Sequence, residues 1–417
     1  MKPSSPARFI LLSPYYPPEV SAVAVRLRAF VRFLAEAGHP VRVLTGMPNH
    51  PTGIIFPPYR RRIVMKEQID GIAVSRVWLY ASAGAGIRRL LNYLSFTVTC
   101  FLPLLFSRRA DYLLVESPPP FIMLPAVLVA RLKRMPVLLI VADMWPDTIV
   151  ALGLMKPGRA LRLAQRLERW SYRSAARITS LTTGISERLV AEKGVPAGKV
   201  LFLPNGVDLD LYAPAPPDEE VRREYDLPQG PILLYTGTHG FAHGLGVALD
   251  AAAMLADTPI QFVFFGSGSE KETLVARARD MQLTNVHFRA PVVQEVIPRL
   301  YSLAFAGLST VADIAMAEEI RPAKTFPIMA CGKPVVYSGR GEGARLIADS
   351  RAGLVAGVAD PRELATAIKR LFEDPELAVE MGSRGREYIR EHLAWDHLVA
   401  AWLEQLEQAE LASRRAS

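Results

Sequence analysis

Arg321 and Lys324 are two cationic side chains whose setting in the sequence suits the binding of an anion. Pro322 suits a first helical position and Gly332 the residue just past a helix end, so the segment predicts a charged loop followed by a short helix. The free N–H groups and the macrodipole at a helix start favour an anion. Arginine adds a planar fork for phosphate, and lysine adds a mobile charge. The segment therefore predicts a phosphate or diphosphate site, with a solvated helix start as the alternative.

Two glycine-rich turns after predicted strands suit the same ligand. The first contains Gly237 and Gly240; the second contains Gly266 and leads to Lys271 on the helix that follows. Glycine allows positive φ and a close approach of the backbone to phosphate. Most turns of this kind are only tight connections, and Lys271 is equally well explained as a solvated lysine on the first turn of a helix.

Acidic residues near predicted strand ends are candidates for proton transfer or for orienting a hydroxyl. Asp143 follows one strand, where a buried carboxylate can take either role and where a helix N-cap is the alternative. Glu318 and Glu319 precede the cationic pair. Asp208 and Asp210 imitate a metal-binding Asp-x-Asp motif, but a capped turn explains them better. We therefore expect neither a metal ion nor another cofactor.

Repeated strand–helix–strand patterns supply the framework for these side chains. In the first half of the chain the predicted strands are Phe9–Ser13, Val41–Thr45, Tyr112–Glu116, Val137–Ala142, Arg177–Thr182 and Val200–Leu203. In the second half they are Ile232–Tyr235, Gln261–Phe265, Val286–Phe288, Ala304–Leu308 and Val335–Tyr337. The sequence thus predicts an α/β protein with two doubly wound parallel sheets, whose ligands bind beyond the carboxyl ends of the strands.

A proline-rich, acidic stretch separates the two halves and indicates a domain boundary. We expect an N-terminal domain over residues 1–212, a C-terminal domain over residues 213–392 and a final amphipathic helix within residues 393–417. A chain of 417 residues, half of them hydrophobic, is long enough for two buried cores.

The charge and the cysteines limit the classes of partner and compartment. A net charge of +8 favours a negatively charged partner, which leaves nucleic acid, an anionic membrane or a phosphorylated substrate. Aromatic residues are not interleaved with the basic ones, which argues against nucleic acid. Only Cys100 and Cys331 occur, far apart, as suits a reducing cytosol. No signal peptide is evident near the start, so we expect a cytoplasmic protein.

The stretch Leu90–Phe106 is uncharged and largely apolar, with arginine pairs on both sides. It is shorter than the roughly 20 residues that span a bilayer, and it contains Pro103. One interpretation is a core helix. The other is an interfacial segment that lies on anionic lipid, which would place the protein at the membrane surface.

The segment from Glu318 to Val336 resembles the donor-binding motif of retaining glycosyltransferases of the family 4 type. These enzymes have the GT-B fold, with two Rossmann-like domains that face each other across a cleft. The matching residues are Pro322, Lys324, Phe326, Ala330, Gly332, Pro334 and Val335. Residues 47–53 and 142–147 resemble a branch of bacterial enzymes that add amino sugars to lipid-linked saccharides. The resemblance extends over nearly the whole chain.

The resemblance implies a metal-independent transfer of a hexosyl or N-acetylhexosaminyl group from a nucleotide-sugar, a UDP-sugar by expectation. The acceptor would be a lipid-linked saccharide at the cytoplasmic face of the membrane, and the final helix would return to the first domain. Asp143 would lie beside the reacting carbon, and Glu319 would reach the sugar hydroxyls. The residues that would bind the donor are Gly237, Gly240, Gly266, Lys271, Pro291, Val292, Arg321 and Lys324. Those that would face the acceptor are Glu19, Arg26, Asn49 and Trp145.

The sequence departs from the family at Pro327, where the family has a glutamate that holds ribose. A charged hydrogen bond contributes roughly 1.5–3 kcal/mol, so donor binding would weaken about ten- to a hundredfold unless another group replaces it. A helix that began at Pro322 would be kinked at Pro327, and one that began at Pro327 would be very short. The change allows an unusual nucleotide, a compensating residue or lost activity.

Two alternatives to a transferase remain open. Lost activity would make the chain a non-catalytic scaffold subunit. A nucleotide-sugar epimerase on the same fold is the other, although the acid–base carboxylates and histidines that it needs around one sugar are not evident in the sequence.

Overall fold

The computed structural model describes residues 6–19, 21–50, 52–82, 86–151, 158–314, 317–318 and 320–416. The chain divides into two compact units: residues up to Asn205 together with those from Trp395 onward, and Gly206–Ala394. The first boundary therefore lies before residue 206 and not after residue 212. The reason is that the backbone N–H of Val207 donates to the carbonyl of Leu393 at 2.8 Å, which ties this stretch to the second unit.

The first unit is built on a mixed, almost entirely parallel sheet. Its strands are β1 Phe9–Leu12, β2 Val41–Gly46, β3 Val64–Ile69, β4 Ile72–Val77, β5 Tyr112–Ser117, β6 Val137–Val141, β7 Arg177–Ser180 and β8 Val200–Phe202. Their order across the sheet is β3-β4-β2-β1-β5-β6-β7-β8, and β3 runs antiparallel to β4 at one edge. The order reverses between β1 and β5, and such a reversal opens a crevice at the carboxyl ends of the strands.

The second unit repeats this design with a wholly parallel sheet. Its strands are β9 Ile232–Thr236, β10 Gln261–Phe265, β11 Val286–Arg289, β12 Ala304–Thr310, β13 Val335–Ser338 and β14 Gly353–Ala356. Their order is β11-β10-β9-β12-β13-β14, so the reversal falls between β9 and β12.

Helices cover both faces of each sheet. In the first unit they are α1 Ala22–Glu36, α2 Ile87–Thr99, α3 Phe101–Phe106, α4 Met123–Lys133, α5 Asp147–Ala151, α6 Arg159–Ser174, α7 Thr183–Ala191 and, at the end of the chain, α16 Trp395–Ala416. In the second they are α8 Glu219–Glu224, α9 Gly246–Met254, α10 Lys271–Asp280, α11 Ile297–Ser302, α12 Thr325–Ala330, α13 Gly341–Ser350, α14 Pro361–Glu373 and α15 Pro375–His392.

Alternate side chains of each central strand enter different cores. In β1, Phe9 and Leu11 pack on one side of the sheet, while Ile10 and Leu12 pack on the other. In β9, Leu233 also packs on the opposite side from its neighbours. Because both faces of these strands are buried, they are continuous apolar runs, the usual pattern of a parallel sheet.

The final helix, α16, packs on the first unit. Trp402 is fully buried, and its indole N–H donates to the hydroxyl of Thr179 in β7 at 3.0 Å. The side chain of Gln405 exchanges two hydrogen bonds with the backbone of Phe202 in β8. The end of the chain therefore completes the layer of helices that begins with α1.

Candidate active site

In the second unit, the turn after β9 and the loop after β12 meet at the point where the strand order reverses. The ammonium of Lys324 lies 3.0 Å from Nδ1 of His243 and 5.0 Å from the centre of the Tyr235 ring. A Cβ atom at Gly237 would lie 2.9 Å from Cε of Lys324, so the glycine leaves room for the lysine to pass. The structure thus brings the first glycine-rich turn and Lys324 together, as expected.

The ammonium of Lys324 is strongly desolvated, and its neighbours at the turn are the rings of His243 and Tyr235. Burial lowers the pKa of Lys324 to about 7. Among the described residues, no carboxylate forms an ion pair with its ammonium. Burial, and then the nearby lysine, lower the pKa of His243 to about 3, so this imidazole is neutral at physiological pH. The lysine therefore donates and Nδ1 of His243 accepts.

A second imidazole lies beneath the same turn. His239 is fully buried, and neither of its ring nitrogens has a hydrogen-bond partner among the described residues. Burial lowers its pKa to about 4, and Lys271 and Lys324 contribute to the shift. This ring is also neutral, and it adds no positive charge to the site.

The second glycine-rich turn packs directly on the first. Gly266 has φ of +151°, and a Cβ atom there would lie 1.8 Å from the carbonyl oxygen of Gly237, so no larger residue fits. Lys271 donates to the carbonyls of Gly266 at 2.7 Å and Arg289 at 2.6 Å. Its ammonium therefore joins the second glycine-rich turn to the end of β11, and this explains its position without a diphosphate ligand. Gly240 has φ of −117° and meets no close neighbour, so its conformation does not require glycine.

Arg321 is largely enclosed and already has a partner. Its guanidinium lies 3.6 Å from Glu342 at the start of α13, with the two side chains 11% and 12% exposed. It also lies 5.4 Å from the centre of the Phe326 ring, and its Nε has no hydrogen-bond partner among the described residues. Burial lowers its pKa. Arg321 is thus a cation with unused hydrogen-bonding capacity, as Lys324 is.

The helix that follows differs from both forms expected from the sequence. It begins at Thr325, and Pro322 lies before it in a turn. Pro327 is its third residue, where a backbone N–H would have no acceptor within the helix. Proline therefore removes no helical hydrogen bond there, and the reason for the expected kink at Pro327 does not apply. Because α12 has only six residues, its macrodipole is small, and attraction for an anion depends mainly on Lys324 and Arg321.

The remaining predicted donor residues are less informative. Pro291 is exposed, and Val292 is half-buried and packs on the core of the second unit. Glu319 lies outside the described residues. Its neighbour Glu318 is paired with Arg340 at 3.1 Å.

In the first unit, Glu19 joins the loops that follow β1 and β2. Its Oε1 accepts hydrogen bonds from the backbone N–H groups of Asn49 at 2.7 Å and His50 at 2.9 Å, and the residue is 3% exposed. Burial raises its pKa to about 7, although the backbone hydrogen bonds oppose the shift. The side chain of Asn49 is buried and donates to the carbonyl of Met47 at 3.1 Å. Both predicted acceptor residues therefore shape the loops from within.

Arg26 on α1 forms an ion pair with Glu116 at the end of β5. Their side chains are 10% and 1% exposed, and the second carboxylate oxygen of Glu116 has no hydrogen-bond partner among the described residues. Burial raises the pKa of Glu116, and Arg26 opposes the shift. Arg26 is therefore charge-compensated at the crevice of the first sheet.

The loop after β6 carries the other two predicted residues of the first unit. Asp143 is partly buried, accepts a hydrogen bond from the hydroxyl of Thr148, and has a pKa raised by burial. Trp145 is partly buried, edge-on to Phe121 at 5.9 Å between ring centres. Asp143 is thus a carboxylate with a raised proton affinity near the carboxyl end of a central strand.

No group of three or more histidine, cysteine, aspartate or glutamate side chains within the described ranges is arranged to hold a metal ion. Asp208 accepts hydrogen bonds from the backbone N–H groups of Asp210 and Leu211, at 3.1 and 3.4 Å. The Asp-x-Asp pair is a capped turn.

Two family models match most of this architecture. Residues 21–206 match the model described as a glycosyl transferase 4-like domain, and residues 230–374 match glycosyl transferases group 1. The chain is a GT-B glycosyltransferase. The expected family and the expected pair of Rossmann-like domains are confirmed.

Curated relatives and solved structures agree with this assignment. The glycosyltransferase is 29% identical over 333 residues to WcaI of Escherichia coli (strain K12), a provisionally assigned colanic acid biosynthesis glycosyl transferase. The match covers 78% of this chain and 81% of the relative. It is 27% identical to a GDP-mannose-dependent phosphatidylinositol monomannoside mannosyltransferase of Mycobacterium tuberculosis, over 70% of this chain and 83% of the relative.

Its fold is similar to that of the sucrose-phosphate synthase of Thermosynechococcus elongatus, with a TM-score of 0.75 and 19% identity over 99% of this chain and 100% of the other. It is also similar to Anabaena HepE in complex with UDP-glucose, with a TM-score of 0.72 and 16% identity over 96% and 100% of the two chains. At these identities the likeness concerns the fold alone.

Sequence reasoning missed three polar residues of this glycosyltransferase. His243 and His239 lie in the first glycine-rich turn, where two histidines among glycines after a strand were the available signal. Glu116 is the second-last residue of β5, where a single carboxylate after an apolar run was the available signal.

Proposed function

We propose that this glycosyltransferase moves a hexosyl or N-acetylhexosaminyl group, with retention, from a nucleotide-sugar to a lipid-linked saccharide. One observation carries the proposal. The ammonium of Lys324 lies under a glycine-rich turn at the carboxyl edge of a Rossmann-like sheet, with no described carboxylate partner. Such a site attracts an anion with several oxygen atoms, and the diphosphate of a nucleotide-sugar is one.

The chemistry follows from where charge develops. When the bond between the sugar and the diphosphate breaks, the leaving oxygen gains negative charge. Lys324 and Arg321 would stabilise that charge, and groups already in place act more strongly in an enclosed site than in water. Because two side chains supply the positive charge, the transfer does not require a metal ion. Asp143 is the candidate to orient the acceptor hydroxyl or accept its proton.

Two of the similar proteins suggest different nucleotides for the donor. HepE is described with UDP-glucose, and the mycobacterial relative uses GDP-mannose. We keep a UDP-sugar as the first expectation and GDP-mannose as the competing donor. Pro327, in place of the glutamate of the family, gives the ribose site an unusual character under either choice.

A surface of the first unit supports a membrane-bound acceptor. We define the apolar face as the outward side chains of α2, α3 and α4, which pack against one another. Its members are Ile87, Leu91, Leu94, Val98, Leu102, Phe106, Leu124, Leu128 and Leu132, each at least 37% exposed. Large exposed apolar surfaces mark interaction sites on soluble proteins.

Exposed arginines border this face. Arg88, Arg108, Arg131 and Arg134 are exposed and form no ion pair with any described residue. Apolar side chains within a basic rim suit an anionic lipid surface, to which each basic residue contributes about 1 kcal/mol near the membrane. The occupant we propose is the cytoplasmic surface of the cell membrane.

The stretch that forms α2 and α3 is better suited to lie on a membrane than to cross one. Residues Ile87–Phe106 are long and apolar enough to cross a bilayer by length and composition, with a mean hydropathy of 1.4. One such stretch is weak evidence of a span. Asn92, Phe96, Cys100 and Leu104 within it are buried in the first unit. With one side in the protein core, the segment supports a peripheral arrangement.

The experiment that tests the function uses the purified full chain. It is incubated with UDP-glucose, UDP-N-acetylglucosamine or GDP-mannose together with lipid-diphosphate-linked saccharides, and the lipid fraction is analysed for added sugar. We expect one donor to be consumed, with Lys324→Met as the inactive control. If no nucleotide-sugar is bound or turned over with any acceptor, the enzyme proposal is wrong, and the scaffold role suggested by Pro327 is favoured.

A further inference from the structure

The first glycine-rich turn is clamped so that one of its side chains is fixed. The residues Phe241–His243 form a single helical turn. The hydroxyl of Thr310, at the end of β12, donates to the carbonyl of His243 at 2.6 Å. Gly244 has φ of +57°, and a Cβ atom there would lie 2.9 Å from Cα of Ala312. The close packing fixes the backbone of His243 relative to β12.

The charged and titratable groups around this contact define its chemistry. Tyr235 from β9 presents the face of its ring to the Lys324 ammonium, and the positive charges of Lys271 and Lys324 both act on His239. Of the described acidic residues between β12 and α12, Asp313 and Glu318 are both paired with Arg340. Nδ1 of His243 is therefore the hydrogen-bond acceptor that the described part of the chain offers to Lys324.

We propose that His243 is a positioning residue for the donor: its Nδ1 holds Lys324 beneath the glycine-rich turn, and the donor diphosphate takes over the lysine on binding. Only the second part of this inference, the transfer of Lys324 to the donor diphosphate, rests on the proposed function. The hold on Lys324 in the ligand-free protein stands on the 3.0 Å contact and on the clamped turn. Holding a side chain near its bound position reduces the entropy that ligand binding must remove.

The contact requires one tautomer of the imidazole. Nδ1 accepts, so the ring proton is on Nε2. A second proton would turn Nδ1 into a donor that faces an ammonium, and this is why burial and Lys324 together hold the pKa of His243 far below its usual range. The imidazole stays neutral, and the lysine is the group that titrates.

A proton change on donor binding follows. With a pKa of about 7, Lys324 is largely the neutral amine in the free protein above that pH. A diphosphate favours the ammonium, so binding takes up a proton from solvent at the Lys324 nitrogen. The affinity for donor should therefore fall as the pH rises above about 7.

The first test needs no ligand. Acetic anhydride acylates neutral amines, so the rate of Lys324 acylation against pH, followed by mass spectrometry of its peptide, reports the pKa of that lysine. Asparagine places an acceptor near the position of Nδ1, whereas leucine and glutamine do not. In His243→Leu and His243→Gln we expect the midpoint for Lys324 to fall by about one pH unit, because the ammonium loses its acceptor, whereas His243→Asn keeps it.

A matched control comes from the same unit. The ring of His287 is hydrogen-bonded to Gln261 at 2.8 Å and lies in β11. His287→Leu should leave the midpoint of Lys324 unchanged. An equal midpoint in the wild type and in both His243→Leu and His243→Gln would overturn the proposed hold, whichever donor the enzyme uses. If the leucine variant fails to fold, the glutamine variant decides.

The second test uses UDP-glucose and GDP-mannose as probes, because their diphosphates do not titrate near neutral pH. Calorimetry in two buffers of different ionisation enthalpy gives the protons taken up by the probe that binds. We expect uptake of a fraction of a proton above neutral pH, a Kd about tenfold higher in His243→Leu, and a near wild-type Kd in His243→Asn. Binding without proton uptake would overturn the proposed transfer of the Lys324 ammonium from His243 to the diphosphate. If neither probe binds the wild type, the proposed donors are wrong, while the acylation result still decides the role of His243.

Discussion

The ammonium of Lys324, which directly precedes α12, and Nδ1 of His243, in the turn after β9, lie 3.0 Å apart. This contact distinguishes Lys324 from the other cations around the glycine-rich turns. Lys271 is bound by two backbone carbonyls, and Arg321 has Glu342 as its counter-ion. Only for Lys324, within the described ranges, is the strongest partner a neutral ring. It is therefore the cation that gains most from the arrival of a diphosphate.

Replacement of this lysine should separate binding from stability. Lys324→Met keeps an unbranched side chain and removes a buried charge that has no described carboxylate partner. We expect donor affinity to fall about ten- to a hundredfold, because a charged hydrogen bond is lost. The melting temperature should stay the same or rise, since desolvation of the charge no longer opposes folding. Calorimetric titration and thermal melting measure the two effects; a less stable variant with normal affinity would contradict this role.

The opposite result is expected for the second lysine. Lys271→Met leaves the carbonyls of Gly266 and Arg289 without their shared donor, at a cost of about 1–3 kcal/mol. The free energy of unfolding, measured in denaturant, should fall by about this amount. If Lys271→Met instead matched Lys324→Met in affinity and kept full stability, the predicted diphosphate role of Lys271 would be supported over the structural one.

Glu19 should make stability depend on pH in a defined window. Its pKa is 4.5 in the unfolded chain and about 7 in the folded one, so the folded state binds the extra proton and stability falls as the pH rises through this range. The shift corresponds to about 3 kcal/mol. Glu19→Gln keeps an oxygen for the backbone N–H groups of Asn49 and His50 but cannot ionise.

The melting temperature of Glu19→Gln relative to wild type should therefore be higher at about pH 8 than at about pH 5, which bracket the window. Comparison within each pH removes the contribution of other titrating groups. An unchanged difference between the two pH values would mean that Glu19 is already ionised throughout this range.

The apolar face should decide membrane association. Leu128→Glu places a charge on this face, at an exposed position of α4. We expect weaker sedimentation with vesicles that contain anionic lipid, and little binding of either form to neutral vesicles. Val379→Glu, on an exposed position of α15 in the second unit, is the matched control and should bind as wild type does. Equal losses in both variants would argue against a specific surface.

Pro327→Glu tests whether the donor site has decayed. The third position of α12 has no backbone hydrogen bond to restore, so the variant should fold normally. In a site adapted to proline, an added carboxylate near the diphosphate should leave donor affinity unchanged or lower it. An increase in affinity of about tenfold or more, measured by calorimetry, would favour a degenerate subunit that has lost its ribose ligand.

The central strands of both sheets were predictable from sequence because both of their faces are buried. Strands β3, β4 and β14 were not predicted. In β3 the outward residues are charged or exposed, as suits an edge strand, and in β14 only Ala356 is buried. Their pairing depends on neighbours that a local pattern does not contain.

The candidate site was predictable where residue type and position coincide, as at Gly237, Gly266 and Lys324. It was not predictable where a side chain's partner is far away in sequence. Arg26 meets Glu116 across 90 positions and Lys324 meets His243 across 81, and no spacing rule connects them. Whether a lysine or arginine is free for a ligand is therefore a property of the fold.

The most direct test of the account is a crystal structure of the full chain with UDP-glucose or GDP-mannose bound. We predict that the Lys324 ammonium leaves Nδ1 of His243 and donates to a diphosphate oxygen beside Gly237, with Arg321 on the same diphosphate. A bound nucleotide-sugar whose diphosphate lies away from the glycine-rich turn, with Lys324 still on His243, would contradict it.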